Sequence, residues 1–132
     1  MCRGEWPAAD HLIRAGGLAD LYLHDDQFFA GWSVLVLKRH ATELFELTEA
    51  ERHGLIDEAA SVAHALCSAF HAVKINYELL GNQLPHVHWH LIPRLADDPA
   101  PRAPVWTVAH EPKRLAGDEL QAMIDRLRRH LR

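Results

Sequence analysis

The chain predicts an α+β fold: an antiparallel sheet of about five strands carrying one long helix and a C-terminal helix. Three observations point to it. Runs rich in branched or alternating apolar residues recur at residues 21–25, 33–38, 73–78 and from His86 onward, each bounded by turn-forming residues. A helical periodicity separates the first pair of runs from the second, and another closes the chain. The order is strands, helix, strands, helix rather than a regular alternation of strand and helix, so an antiparallel sheet is expected.

Each element has a local cause. Residues 21–25 and the run "SVLVLK" at 33–38 flank a turn at Asp25-Asp26 and read as a hairpin. Thr48 and Glu51 form a T-x-x-E capping box. Leu55, Ala59, Val62, Leu66 and Phe70 then fall near one face, which predicts a helix over about 48–71. In "VKINYE", residues 73–78, Val73, Ile75 and Tyr77 alternate with Lys74, Asn76 and Glu78, the signature of a strand. Gly81, Asn82 and Pro85 mark the turn before the next strand. A proline-rich passage at 97–106 leads to the last helix, with Asp118 as N-cap and Leu120, Met123, Ile124, Leu127 and Leu131 as its apolar stripe.

Composition narrows the function. A chain of 132 residues, 48% hydrophobic and 24% charged, suits one domain with its own core, and no repeat or linker divides residues 1–132. No apolar run approaches the ~18 residues of a membrane span, and "MCRGEWPAAD" lacks a signal-peptide core, so a cytoplasmic, membrane-free protein is expected. A net charge of -4 gives no general attraction to nucleic acid, and the basic run at 126–132 reads as a solvated helix face. Cys2 and Cys67 support neither a disulfide framework nor a zinc clip.

The stretch "LPHVHWHLIPR", residues 84–94, places three histidines in five residues. On a strand, His86, His88 and His90 share one face while Val87, Trp89 and Leu91 take the other. Three readings compete: an incidental core cluster, a metal site, or nucleophilic catalysis by imidazole. A metal site usually adds a carboxylate or thiolate, and the motif contains none. A nucleophilic imidazole must be neutral, with its second nitrogen held, and neighbouring imidazoles disfavour its charging. Phosphorus is the natural electrophile, because an N-phosphoryl imidazole can hydrolyse in a second step.

The residues His86-Val87-His88-Trp89-His90-Leu91-Ile92 fit the H-φ-H-φ-H-φ-φ signature, φ being apolar, at every position. The chain thereby resembles the histidine triad family of nucleotide hydrolases and transferases, over about three quarters of its length by order of elements. The resemblance implies that His88 attacks the α-phosphorus of a small nucleotide conjugate and forms a nucleotidyl-histidine. It implies that His90 hydrogen-bonds the phosphoryl or bridging oxygen, that His86 lies behind the motif, and that His40 buttresses it. Substrate contacts are expected from Asn76, Gly81, Asn82 and Gln83, with no metal and no cofactor. A nucleotide is the implied small-molecule partner and a homodimer the implied assembly, the two sheets joining into one.

Departures are also visible. Gln83 stands where relatives use a hydroxyl, and glutamine donates a hydrogen bond but does not readily supply a proton. The ribose-contacting acid aligns with His24 or Asp25, the "GH" before the long strand reads Gly31-Trp32, and Cys2 alone does not make a paired-cysteine zinc site. These departures keep a second reading open, a catalytically weak purine-nucleotide binder or sensor. His53, His64 and His71 are expected at the surface. Trp6, Trp32, Trp89 and Trp106 read as packing, Trp106 alone also as a cover for the site.

Overall fold

The computed structural model describes residues 6–131; Cys2 and the last residue of the basic run, Arg132, lie outside them. Five strands form one antiparallel sheet: β1 (Leu12–Ala15), β2 (Ala19–Leu23), β3 (Ser33–Leu37), β4 (Lys74–Glu78) and β5 (His88–Arg94), in the spatial order β1-β2-β3-β5-β4. Helix α1 (Glu49–Phe70) separates the two groups of strands, and helix α2 (Gly117–His130) ends the chain. The fold is the α+β arrangement expected.

Residues paired across antiparallel strands point to one face of the sheet. Leu35 pairs with Leu21 and with Trp89, and Leu91 pairs with Tyr77. This face packs on α1 through Leu55, Ala59, Val62 and Leu66 and on α2 through Ile124 and Leu127, which makes the main core. On the other face Val34 pairs with His90 and Val36 with His88. A smaller apolar cluster there, Phe29, Trp32, Ile92 and Val105, borders the histidines. The sheet therefore separates a dry core from a chemical face, and the motif's alternation follows from that division.

Helix α1 opens with the expected capping box: the Thr48 side chain accepts from the Glu51 amide, and the Glu51 side chain answers to the Thr48 amide. His53, His64 and His71 are exposed as expected. At the helix's C-terminal end His71 takes the left-handed conformation, φ 52°, and closes it with a bond from the Ala72 amide to the Cys67 carbonyl. Gly31 also lies at positive φ, 88°, and a Cβ there would stand 2.6 Å from the Phe70 ring, so the turn before β3 requires glycine.

Four expectations need correction. A first strand, β1, precedes the hairpin; it is only four residues long and its register shifts between Leu12 and Arg14, which erases the alternation a reader would look for. The link from β2 to β3 is not a tight turn at Asp25-Asp26 but the loop 24–32, folded round Gln27, whose side chain bonds the carbonyls of His24 and Trp32 and the amide of Gly31. Strand β5 begins at His88, not His86, because the amide of Val87 turns away to the carbonyl of Ala41. Helix α2 starts at Gly117 with Ala116 as N-cap; Asp118 sits in the first turn, where its charge favours the helix dipole without capping it.

Candidate active site

His86, His88 and His90 are buried, 6%, 5% and 6% exposed, yet each is held by a different device. His86, just before β5, donates from Nε2 to the carbonyl of Leu37 at 2.6 Å. Its Nδ1 lies 3.2 Å from Nδ1 of His40, so a neutral His86 accepts there from His40. His88 donates from Nδ1 to the carbonyl of His86 at 2.6 Å. That bond leaves Nε2 of His88 with the free lone pair, the tautomer a nucleophile requires. The carbonyl of His86, rather than its ring, orients the central histidine.

His90 is set from the opposite side. The indole of Trp32 donates from Nε1 to Nδ1 of His90 at 3.1 Å, and indole can only donate, so His90 carries its proton on Nε2. Burial first, then the neighbouring His88 and His24, push the His90 pKa down to about 3. Burial likewise lowers His88 below the ordinary imidazole value, against the bond to the His86 carbonyl, which works upward. Both rings are therefore neutral at physiological pH: one presents a lone pair, the other an N–H.

A cleft of about 500 Å3 opens in front of them, lined by Trp6, His24, Gly81, Gln83, His88 and Trp106 among others. Gly81, Asn82 and Gln83, from which substrate contacts are expected, all border this cleft. Asn76 does not. Its Oδ1 accepts from Arg94 at 2.7 Å, and it lines a separate depression with Lys74 and Arg102. The reason is the buried Arg94 guanidinium, which needs acceptors on every side and takes the amide oxygen along with both oxygens of Asp98.

Three of the four tryptophans stand at the site: Trp6 and Trp32, read as packing alone, and Trp106, read also as a cover. Trp6 meets His88 edge-on at 5.8 Å, Trp106 meets His90 at 5.1 Å, and Trp32 forms the bond to His90. Trp89 alone packs toward the main core. His24 lies flat on Trp32, 3.8 Å apart and 3° from parallel, with Nδ1 against the Asp26 backbone, 3.1 Å from its amide and 3.4 Å from its carbonyl. A signal for Trp32 existed: it stands two residues before Val34 and so shares the histidine face.

The profile of the HIT domain family matches residues 18–97. The chain belongs to the histidine triad family. Among solved structures it is similar to a histidine triad protein from Sinorhizobium meliloti 1021, with 32% identity and a TM-score of 0.84 over 91% of this chain and 88% of that one. It is similar to one from Bradyrhizobium japonicum at 32% identity and TM-score 0.82, covering 91% and 89%. A third, from Marinobacter aquaeolei VT8, shows 28% identity and TM-score 0.84 over 94% and 90%. No curated protein matches the chain.

In this histidine triad protein the setting of His90 makes two predictions, one from its bond to Trp32 and one from its burial. Trp32→Phe keeps the stacking surface but frees the His90 tautomer; turnover is expected to fall about tenfold, the worth of one buried hydrogen bond, with the fold intact by circular dichroism. The second concerns pH. Unfolded His90 takes a proton near pH 6.5, whereas the folded ring refuses it until about 3, so its contribution to stability is complete above 6.5 and is lost as pH falls. Between pH 7 and pH 5 the triad protein is expected to lose about 2 kcal/mol from His90 alone, read by urea unfolding, with His88 and His24 adding in the same direction.

Proposed function

We propose that the protein is a nucleotidyl hydrolase that cleaves small nucleotide conjugates at the α-phosphorus through a covalent intermediate on His88. One observation carries the reading: the 2.6 Å bond from His88 Nδ1 to the His86 carbonyl, which aims an uncharged Nε2 into an aromatic cleft. Nucleoside phosphoramidates and dinucleoside polyphosphates are the substrate classes. Nε2 forms a bond to phosphorus as the bond to the leaving group breaks. The positive charge that develops on the ring stays on a group whose N–H already rests against a carbonyl. His90 donates from Nε2 to the phosphoryl or bridging oxygen, and the leaving group takes its final proton from solvent. Water then adds to phosphorus, the P–N bond breaks, the imidazole recovers its lone pair, and the water's proton passes to solvent.

Support for a nucleotide comes from membership of the family, from Trp6 and Trp106 as faces for a base, and from the neutral N–H groups of His90 and Gln83, which line the same cleft. Brief incubation with diadenosine polyphosphate or adenylyl phosphoramidate, acid-free quenching and intact-protein mass spectrometry should reveal a nucleotidyl adduct that maps to His88. AMP release without any adduct would remove the covalent step. A second reading, nucleotide binding with little turnover, is favoured by Gln83, which borders the cleft and supplies no proton. Tight AMP binding with no release from either substrate would select it.

We further propose a cytoplasmic homodimer. Strand β4 is an open edge of the sheet, and Val73 just before it and Tyr77 within it are 68% and 48% exposed. No helix among the described residues is long and apolar enough to cross a membrane. A monomeric mass by light scattering at micromolar concentration would contradict the dimer.

A further inference from the structure

The segment 104–113 runs across the histidine face and brings Trp106 against His90. At one end it is held by the Trp106 indole, which donates to the Glu78 carboxylate. At the other, three contacts tie it to the loop 24–32. Nε2 of His110 lies 2.6 Å from Oδ2 of Asp26, the Lys113 amide donates to Oδ1 of Asp26 at 2.9 Å, and the Gln27 amide donates to the Lys113 carbonyl at 2.7 Å.

His110 is unlike the other histidines of this face. Its second nitrogen, Nδ1, lies 2.8 Å from the carbonyl of Val108. Both ring nitrogens therefore face oxygens that can only accept, and the ring satisfies both only by donating from both, as an imidazolium. The side chains of His110 and Asp26 are 12% and 15% exposed, which leaves little room for water to replace either bond. The charged groups acting on the ring, Asp26 and Glu111, are both acidic, and Phe28 stacks on it at 4.1 Å. The bond to Asp26 is the main reason that the His110 pKa lies above the ordinary value.

Asp26 also reaches the site. Its amide donates to His24, His24 lies on Trp32, and Trp32 fixes His90. One residue, by its carboxylate on one side and its amide on the other, thus joins the far end of the segment to the layer behind the triad.

We propose that His110, doubly protonated between Val108 and Asp26, is a positioning residue that holds Trp106 as a wall of the cleft, so that nucleotide affinity depends on a proton bound outside the cleft. When the ring loses that proton, one nitrogen turns a lone pair toward an oxygen, the contact becomes repulsive and the segment loosens. The sign follows: the latch is closed below the raised His110 pKa and opens as pH rises through it. The affinity statement rests on the nucleotide reading above; the latch does not.

Two measurements separate them. AMP dissociation constants are determined by calorimetry at pH 6.5 and 8.5 for the wild type, His110→Gln, His110→Lys and Trp106→Phe, with the AMP titration common to all. His110→Gln is expected to bind AMP about five- to tenfold more weakly than wild type at pH 6.5 and to approach it at pH 8.5. His110→Lys, a cation at both values, should restore binding and remove the alkaline loss. In the Trp106→Phe background His110→Gln should add nothing, since both act through one wall. Equal affinities of wild type and His110→Gln at both pH values, or additive effects of the two substitutions, would overturn the proposal. The second measurement needs no ligand: limited trypsin digestion at pH 7.5 should cut after Lys113 and Arg114 several-fold faster in His110→Gln, with unfolding midpoints matched by adding the urea that each protein requires. Unchanged cutting would overturn the latch. AMP that fails to bind the wild type, with faster cutting in the variant, would refute the nucleotide reading and leave the latch standing.

Discussion

His88→Ala is expected to reduce AMP release by at least about 10^3-fold while leaving the unfolding transition within a few degrees of wild type. The ring is buried but lies on the cleft side of the sheet, opposite the main core, so its removal widens the cleft rather than hollowing the core. The His86 carbonyl that it releases can be reached by water through the same opening. No other imidazole can substitute: His90 presents a proton where His88 presents a lone pair, and His86 is committed to Leu37 and His40. A steady-state assay beside a thermal melt decides the matter, and residual turnover above about 1% of wild type would assign the nucleophile elsewhere.

Arg94→Met is expected to be the most damaging single change to stability, about 3–5 kcal/mol. Arg94 and Asp98 have side chains only 4% and 2% exposed, and the guanidinium also donates to the carbonyls of Ala100 and Ala103 and to Asn76. It holds the Asp98 carboxyl below the usual carboxylate range. Methionine fills the space but leaves the buried Asp98 carboxylate with the Ala100 amide as its remaining donor and takes the guanidinium from the carbonyls of Ala100 and Ala103. A fall of about 10–15 °C in the melting temperature is the expected reading for a chain of this size. Arg94→Met combined with Asp98→Asn should recover part of the loss, because the stranded charge is then absent. If the single variant were as stable as wild type, the cluster would be a solvated ion pair of little worth.

How far the sequence alone reached differs by element. The strand carrying the triad was legible because its alternation is driven by two unlike environments, a dry core under Trp89 and Leu91 and a cleft over His88 and His90. Helix α1 was legible from its cap and stripe, both local properties. Strand β1 was not, since four residues with a register shift leave too little pattern. The role of Asn76 was misplaced because its partner, Arg94, lies 18 positions along the chain and outcompetes the cleft for its oxygen. Trp6 and Trp32 read as packing for a related reason, and Trp106 as a cover only in outline: the three come from separate segments, and only the fold assembles them. Periodicity reports which side of an element faces a core, but not which distant side chain will meet it there.

The indole behind His90 has one more consequence. A partner that gives a hydrogen bond but never receives a proton closes the rear of that ring to traffic, so the imidazole is no shuttle. Its Nε2–H can hydrogen-bond a departing oxygen but cannot be given away, since the ring would be left as an imidazolate. The leaving group's proton must therefore enter from solvent through the mouth of the cleft, along the path by which products leave. Product exit and proton entry then share one opening, and a product that lingers there would delay both.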